Sequence, residues 1–133
     1  MADAVTSQTI QDGQRTAILK FTNVSDGTGE SAVKKVDVSA LEKNDKGEAC
    51  TSVSITRIYW ACAGMGVNIE VDATSNVLAI GLPADSTGDE YYDLFTGIPN
   101  NAGSGVTGDI DFTTKGHSSG DTYSIILVLT KNY

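Results

Sequence analysis

Apolar and polar residues alternate with period two through most of this chain, in runs of five to ten broken by Gly, Asp, Ser and Asn. Period two is the signature of a strand with one face against a core. Residues 15–23 (RTAILKFTN), 67–71 (VNIEV) and 76–81 (NVLAIG) read as such strands. In VNIEV the pattern puts Val67, Ile69 and Val71 inward and Asn68 and Glu70 outward. In AVKKVDV, 32–38, Val33 is out of phase with Val36 and Val38, which predicts a bulge or burial on both sides. CTSVSITRIYWACAG is the longest β-like stretch. Val53, Ile55, Tyr59 and Ala61 share one parity, and Ile58, Trp60 and Cys62 share the other. The change of phase predicts a strand half-buried at its start and covered on both faces later.

The last segment, TYSIILVLTKNY, is nearly continuously apolar from Ile125 to Leu129 and reads as a central strand. VTGDIDFTT, 105–114, alternates through Ile110 and Phe112. Short connections, GMG and DATSN, favour antiparallel neighbours on either side of 67–71. SDGTGE and EKNDKGEA are turn-rich or charged loops. Residues 82–104 break the rhythm with both prolines and with Tyr91, Tyr92 and Phe95, and read as a long loop that folds back or makes contacts. No stretch sustains a period of 3.6. The expectation is all-β: an antiparallel, jelly-roll-like β-sandwich of seven or eight short strands. Residues 1–14 stand apart as an N-terminal arm, and 15–133 as a single domain.

Size and charge narrow the function. The chain has 133 residues, enough for one core without metal or disulfide support. With 9 Lys plus Arg against 17 Asp plus Glu, the net charge is −8. That sign opposes binding to nucleic acid and to anionic lipid. The first residues, MADAVTSQTI, lack the basic and apolar regions of a signal peptide, and no apolar run reaches the length of a bilayer span. Cys50 and Cys62, twelve residues apart on one strand, would lie about 40 Å from each other. A disulfide needs Cα atoms within roughly 7 Å, so both read as free thiols.

Candidate chemistry is sparse. GHSSGD, 116–121, holds the only histidine, yet glycines bracket it and strands flank it. It reads as a turn with His117 in solvent, since a serine nucleophile needs a base and an orienting group fixed in a dry site. SDGTGE (25–30) and DSTGDE (85–90) lack the ligand spacing of a calcium loop. The glycines at 64–66 and 103–108 have no helix behind them to bind phosphate. Trp60 and Tyr59 read as core residues rather than a stacking platform. No catalytic residue, metal ligand or cofactor is expected. Tyr91, Tyr92 and Phe95, with Val5 and Ile10 of the arm, are the candidate contacts with a partner.

TNVSDGTGESAVKKVDVSAL, IPNNAGSGVTGDI and GHSSGDTYSIILVLTKNY together resemble small structural proteins of tailed bacteriophages, marine ones especially. Within that group the chain is similar to head decoration, or capsid cement, proteins. The resemblance implies a non-enzymatic virion protein, made in the host cytoplasm without a leader. It would bind the exterior of the capsid, with the major capsid protein and its own copies in a homotrimer as partners. A tail-associated or fibre module that binds a host-surface glycan is the alternative. The resemblance assigns no binding residue.

Overall fold

The computed structural model describes residues 3–92, 97–99 and 103–133. Among the described residues nine strands form two antiparallel sheets, so the protein is an all-β sandwich. They are β1 (Ala4–Asp12), β2 (Thr16–Val24), β3 (Val33–Val36), β4 (Ser52–Ala63), β5 (Gly66–Val71), β6 (Val77–Leu82), β7 (Ser86–Tyr91), β8 (Ile110–Lys115) and β9 (Thr122–Asn132). One sheet has the order β1-β2-β9-β4-β7, and the other β3-β8-β5-β6. A short 3-10 turn, Val38–Ala40, follows β3, and Asp37 caps it by accepting from Ser39 N.

The alternating positions face one another between the sheets. From the five-stranded sheet come Leu19 and Phe21 of β2, Ile55 and Ile58 of β4, and Ile125, Leu127 and Leu129 of β9. From the four-stranded sheet come Val67 and Ile69 of β5, Leu82 of β6, and Ile110 and Phe112 of β8. Phe112 joins the layers. Its ring meets Phe21 edge-on at 5.3 Å and Tyr123 at 5.9 Å between centroids, the arrangement that aromatic quadrupoles favour.

Polar groups at the sandwich edges are paired. Glu30 and Lys35, both buried, form an ion pair at 2.5 Å. Tyr123 Oη donates to Glu30 at 2.5 Å, and Asn23 Nδ2 donates at 2.9 Å. Burial, with the Glu30 carboxylate beside it, raises the Tyr123 phenol far above its ordinary value. Lys131 Nζ, fully enclosed, donates to Asp12 at the end of β1 and to the Glu42 carbonyl. Cys50 and Cys62 are buried free thiols, and burial raises both pKa values.

Five expectations change. The strands number nine, because β1 and β7 join the five-stranded sheet at its two edges. The pattern sets residues 1–14 apart as an arm, yet Ala4–Asp12 pairs with β2 of its own chain, Thr6 opposite Thr22. All but the last of its side chains are exposed, so no apolar pattern marked it as part of the body. Segment 82–104 likewise contains the polar edge strand β7 rather than a loop throughout. The phase change in β4 does not reflect burial on both sides. An extra residue, Thr56, sits between Ile55 and Arg57 in the register with β9. This bulge turns Ile58 and Cys62 to the same inner face as Val53 and Ile55. Finally, β4 and β5 lie in different sheets: Gly64 takes a φ of +85°, and Met65 fills the corner, fully buried. Of the two alternatives for β3, a bulge or burial on both sides, the structure has the bulge, at Lys35.

Phe112→Ala removes the ring that contacts both layers. It should cost about 3–5 kcal/mol, read from urea unfolding of wild type and variant. A loss below about 1 kcal/mol would contradict the packing described.

Candidate functional site

The outer face of the five-stranded sheet carries the side chains that the core cannot take. Pairing sets them in rows across the strands. Ile18, Val128, Arg57 and Tyr91 form one row; Lys20, Ile126, Tyr59 and Asp89 form the next. A third row holds Thr22, Ser124, Ala61 and Thr87. Ile18, Ile126, Val128 and Tyr59 are half-buried, and among the described residues no strand covers them.

Arg57 organises the β4–β7 side of this face. Its guanidinium lies 4.7 Å from the centre of the Tyr59 ring and 5.4 Å from that of Tyr91, within cation–π range. Asp89 accepts from Arg57 Nε at 3.0 Å and from Nη2 at 2.8 Å. This two-point bond raises the Arg57 pKa and holds Asp89 below the usual carboxylate range. The pair is partly solvated, so its value is conformational: it fixes two tyrosine rings at a small cost in free energy. Beside it a cleft of about 560 Å³ is lined by Lys20, Tyr59, Ala61, Thr87, Asp89 and Ile126, among others. Trp60 points the other way. It packs against the core with its ring against Gly88, where a Cβ would lie 2.4 Å from ring carbons, and its Nε1 donates to Ser86 at 3.0 Å.

Of the expected contact residues, Tyr91 is 59% exposed and belongs to this face. Tyr92, the next residue, alternates inward and packs against the core, and its backbone N–H bonds Thr56 O at 2.9 Å. Burial and Glu90 raise its phenol pKa. Val5 and Ile10, 46% and 52% exposed, lie on β1 at the opposite edge of the same sheet. The structure therefore does not gather Val5 and Ile10 with Tyr91. Phe95 lies outside the described residues. Sequence reasoning missed Arg57, Tyr59 and Asp89. A signal was present, since Arg57, Tyr59 and Ala61 alternate with Ile58, Trp60 and Cys62, but without the bulge their face could not be assigned.

GHSSGD is a turn between β8 and β9. Gly116 and Gly120 take φ of +65° and +93°, and Asp121 Oδ2 accepts from Ser118 N at 2.7 Å. His117 is not the free tip that was expected. Its ring lies against Gly29, within 2.4 Å of where a Cβ would stand, and Nδ1 is 3.3 Å from Thr114 Oγ1. Loop 25–30 turns donors, not oxygens, to its centre. Asp3 accepts from Asp26 N at 3.1 Å, Gly29 N at 3.2 Å and Asn23 Nδ2 at 3.1 Å. Although burial opposes its charge, these bonds keep the Asp3 pKa low. Among the described residues no three His, Cys, Asp or Glu side chains are arranged to hold a metal ion.

The four-stranded sheet buries one strained carboxylate. Asp111 is 4% exposed; Oδ2 accepts from Asn76 Nδ2 at 2.9 Å, while Oδ1 is buried without a hydrogen bond. Burial first, and Asp72 beside it, push its pKa up to about 6, against the opposing effects of Asn76 and Lys34. A raised carboxylate pKa means that the folded state holds the proton more tightly than the unfolded one. Its contribution is favourable below about pH 4 and is lost as pH climbs through about 6. Asp111→Asn should therefore stabilise the protein at pH 7.5 by up to about 3 kcal/mol, with the gain vanishing near pH 4. Denaturant titrations at both pH values check this; an equal effect at both would contradict it.

Comparison of the chain with protein-family models, curated proteins and solved structures returns no match.

Proposed function

We propose that this protein is a structural component of a phage particle that binds the outside of the capsid and reinforces it. The observation that carries the proposal is the uncovered outer face of the five-stranded sheet. There an aliphatic centre of Ile18, Ile126 and Val128 is bordered by Tyr59 and by the exposed Tyr91, held on Arg57. Rigid aromatic anchors beside an apolar patch are the usual core of a protein–protein contact. The resemblance to head decoration proteins supplies the partner: the major capsid protein, bound by a homotrimer at the shell exterior. A ligand that binds only the assembled shell stabilises it by mass action, and a trimer adds avidity through linked contacts. The charge of −8 keeps the free protein off the packaged nucleic acid.

A second reading has its own support. The cleft beside Tyr59 offers an aromatic face with Lys20, Asp89 and the Thr87 hydroxyl around it, groups that suit a sugar ring. A tail or fibre module binding a host glycan would use it. Immunogold labelling separates the two by marking heads or tails.

Particles lacking this protein should release their DNA at a lower temperature than complete ones, and added protein should restore them. The Tyr59→Ala, Tyr91→Ala double variant should bind such particles at least about tenfold more weakly. Equal heat resistance with and without the protein would overturn the proposal.

A further inference from the structure

Strand β1 is an edge of the five-stranded sheet, and among the described residues no strand pairs with the main-chain groups on its outer side. Such edges invite pairing with another chain, and proteins blunt them with charge, proline, bulges or brevity. The four edges of this sandwich differ in that respect. β3 is four residues long and carries Lys34 and Lys35. β7 carries Asp89 and Glu90. β6 is broken in mid-strand by Ala79, the extra residue opposite the Ile69–Glu70 step. β1 has no charge and no proline from Ala4 to Gln11, and its only interruption, at Ile10, leaves Ala4–Thr9 regular.

Nor is β1 loosely attached. Asp3 fixes one end by accepting from the backbone of loop 25–30, and Asp12 fixes the other on the enclosed Lys131. Between these anchors the side chains bury almost nothing. The molecule thus holds a straight, neutral strand in place along its margin without using its side chains for the core.

We propose that β1 pairs antiparallel with β1 of a second copy of this chain, continuing the five-stranded sheet across a two-fold axis. Opposed residues in an antiparallel pair share a face, so the two positions must have the same parity. Centring the pair on Ser7 sets Val5 against Thr9 and Thr6 against Gln8, all within the regular run. No like charges meet, because Asp3 comes opposite Gln11. The second copy is favoured over a charged partner by this neutrality. Two molecules of charge −8 repel, and β1 is the margin where they approach at least cost. The contact is two-fold, distinct from the threefold one proposed above, and would join one trimer to the next.

Ser7→Cys tests the pairing directly. Across the axis the two Cα atoms would stand about 4.5–5.5 Å apart, within disulfide reach. Under mild oxidation the variant should give a band at twice the chain mass on a non-reducing gel. Wild type should not, since Cys50 and Cys62 are buried. Ser7→Lys sets two ammonium groups face to face and should raise the dissociation constant of the pair at least about tenfold by sedimentation. Its urea midpoint should stay at the wild-type value, because Ser7 is exposed. Absence of the Ser7→Cys band overturns the proposal. So does self-association that Ser7→Lys leaves unchanged, which would place the contact elsewhere.

Discussion

The register of β9 decides the side on which every residue of the five-stranded sheet falls. Ile125 stands opposite Phe21 and Trp60, and Leu127 opposite Leu19 and Ile58. These residues enter the space between the sheets, and so Ile126 and Val128 must face outward with Lys20, Tyr59 and Arg57. A slip of one residue would exchange the two sets. It would turn Ile125, Leu127 and Leu129 out to solvent and bring the hydroxyls of Ser124 and Thr130 into an apolar layer, each at a cost where it is left unpaired. The same constraint that builds the core therefore builds the outer face. Apolar residues lie there because the central strand is apolar at almost every position.

The other polar burials serve the margins. Glu30, Lys35, Asn23 and Tyr123 close one end of the sandwich, and Lys131, Asp12 and the Glu42 carbonyl close another. Each group has a partner, so each tethers a connection whose residues supply little apolar area. Among the described residues three oxygens are exceptions, buried without a hydrogen bond: Oδ1 of Asn23, of Asn68 and of Asp111. The edges then divide by chemistry: β3 and β7 are guarded by charge, and β1 is not.

Much of this was legible from pattern. VNIEV and TYSIILVLTKNY alternate or run apolar as buried strands must, and the out-of-phase Val33 marked an irregularity in β3 that the structure resolves as a bulge. The separation of Cys50 from Cys62 followed from strand length alone. What escaped had no side-chain signal. β1 and β7 are held by main-chain pairing at the sheet margins, where either face touches water and no periodicity is required. The bulge at Thr56 changes which parity faces inward, and composition does not reveal an inserted residue. Hence the pattern alone places Tyr59 in the core and gives no role to Arg57. Tyr91 and Tyr92 looked equivalent in sequence, but one backbone step apart on a strand they face opposite ways.

The central claim is that the uncovered face of the five-stranded sheet is a surface for clasping a neighbouring protein. A cryo-electron reconstruction of the particle, with this chain fitted to its density, tests it most directly. The account predicts the chain on the outside of the shell, with Tyr59, Tyr91 and Ile126 against a capsid subunit. Density on the tail alone, or a chain on the shell with that face turned to solvent, would contradict it.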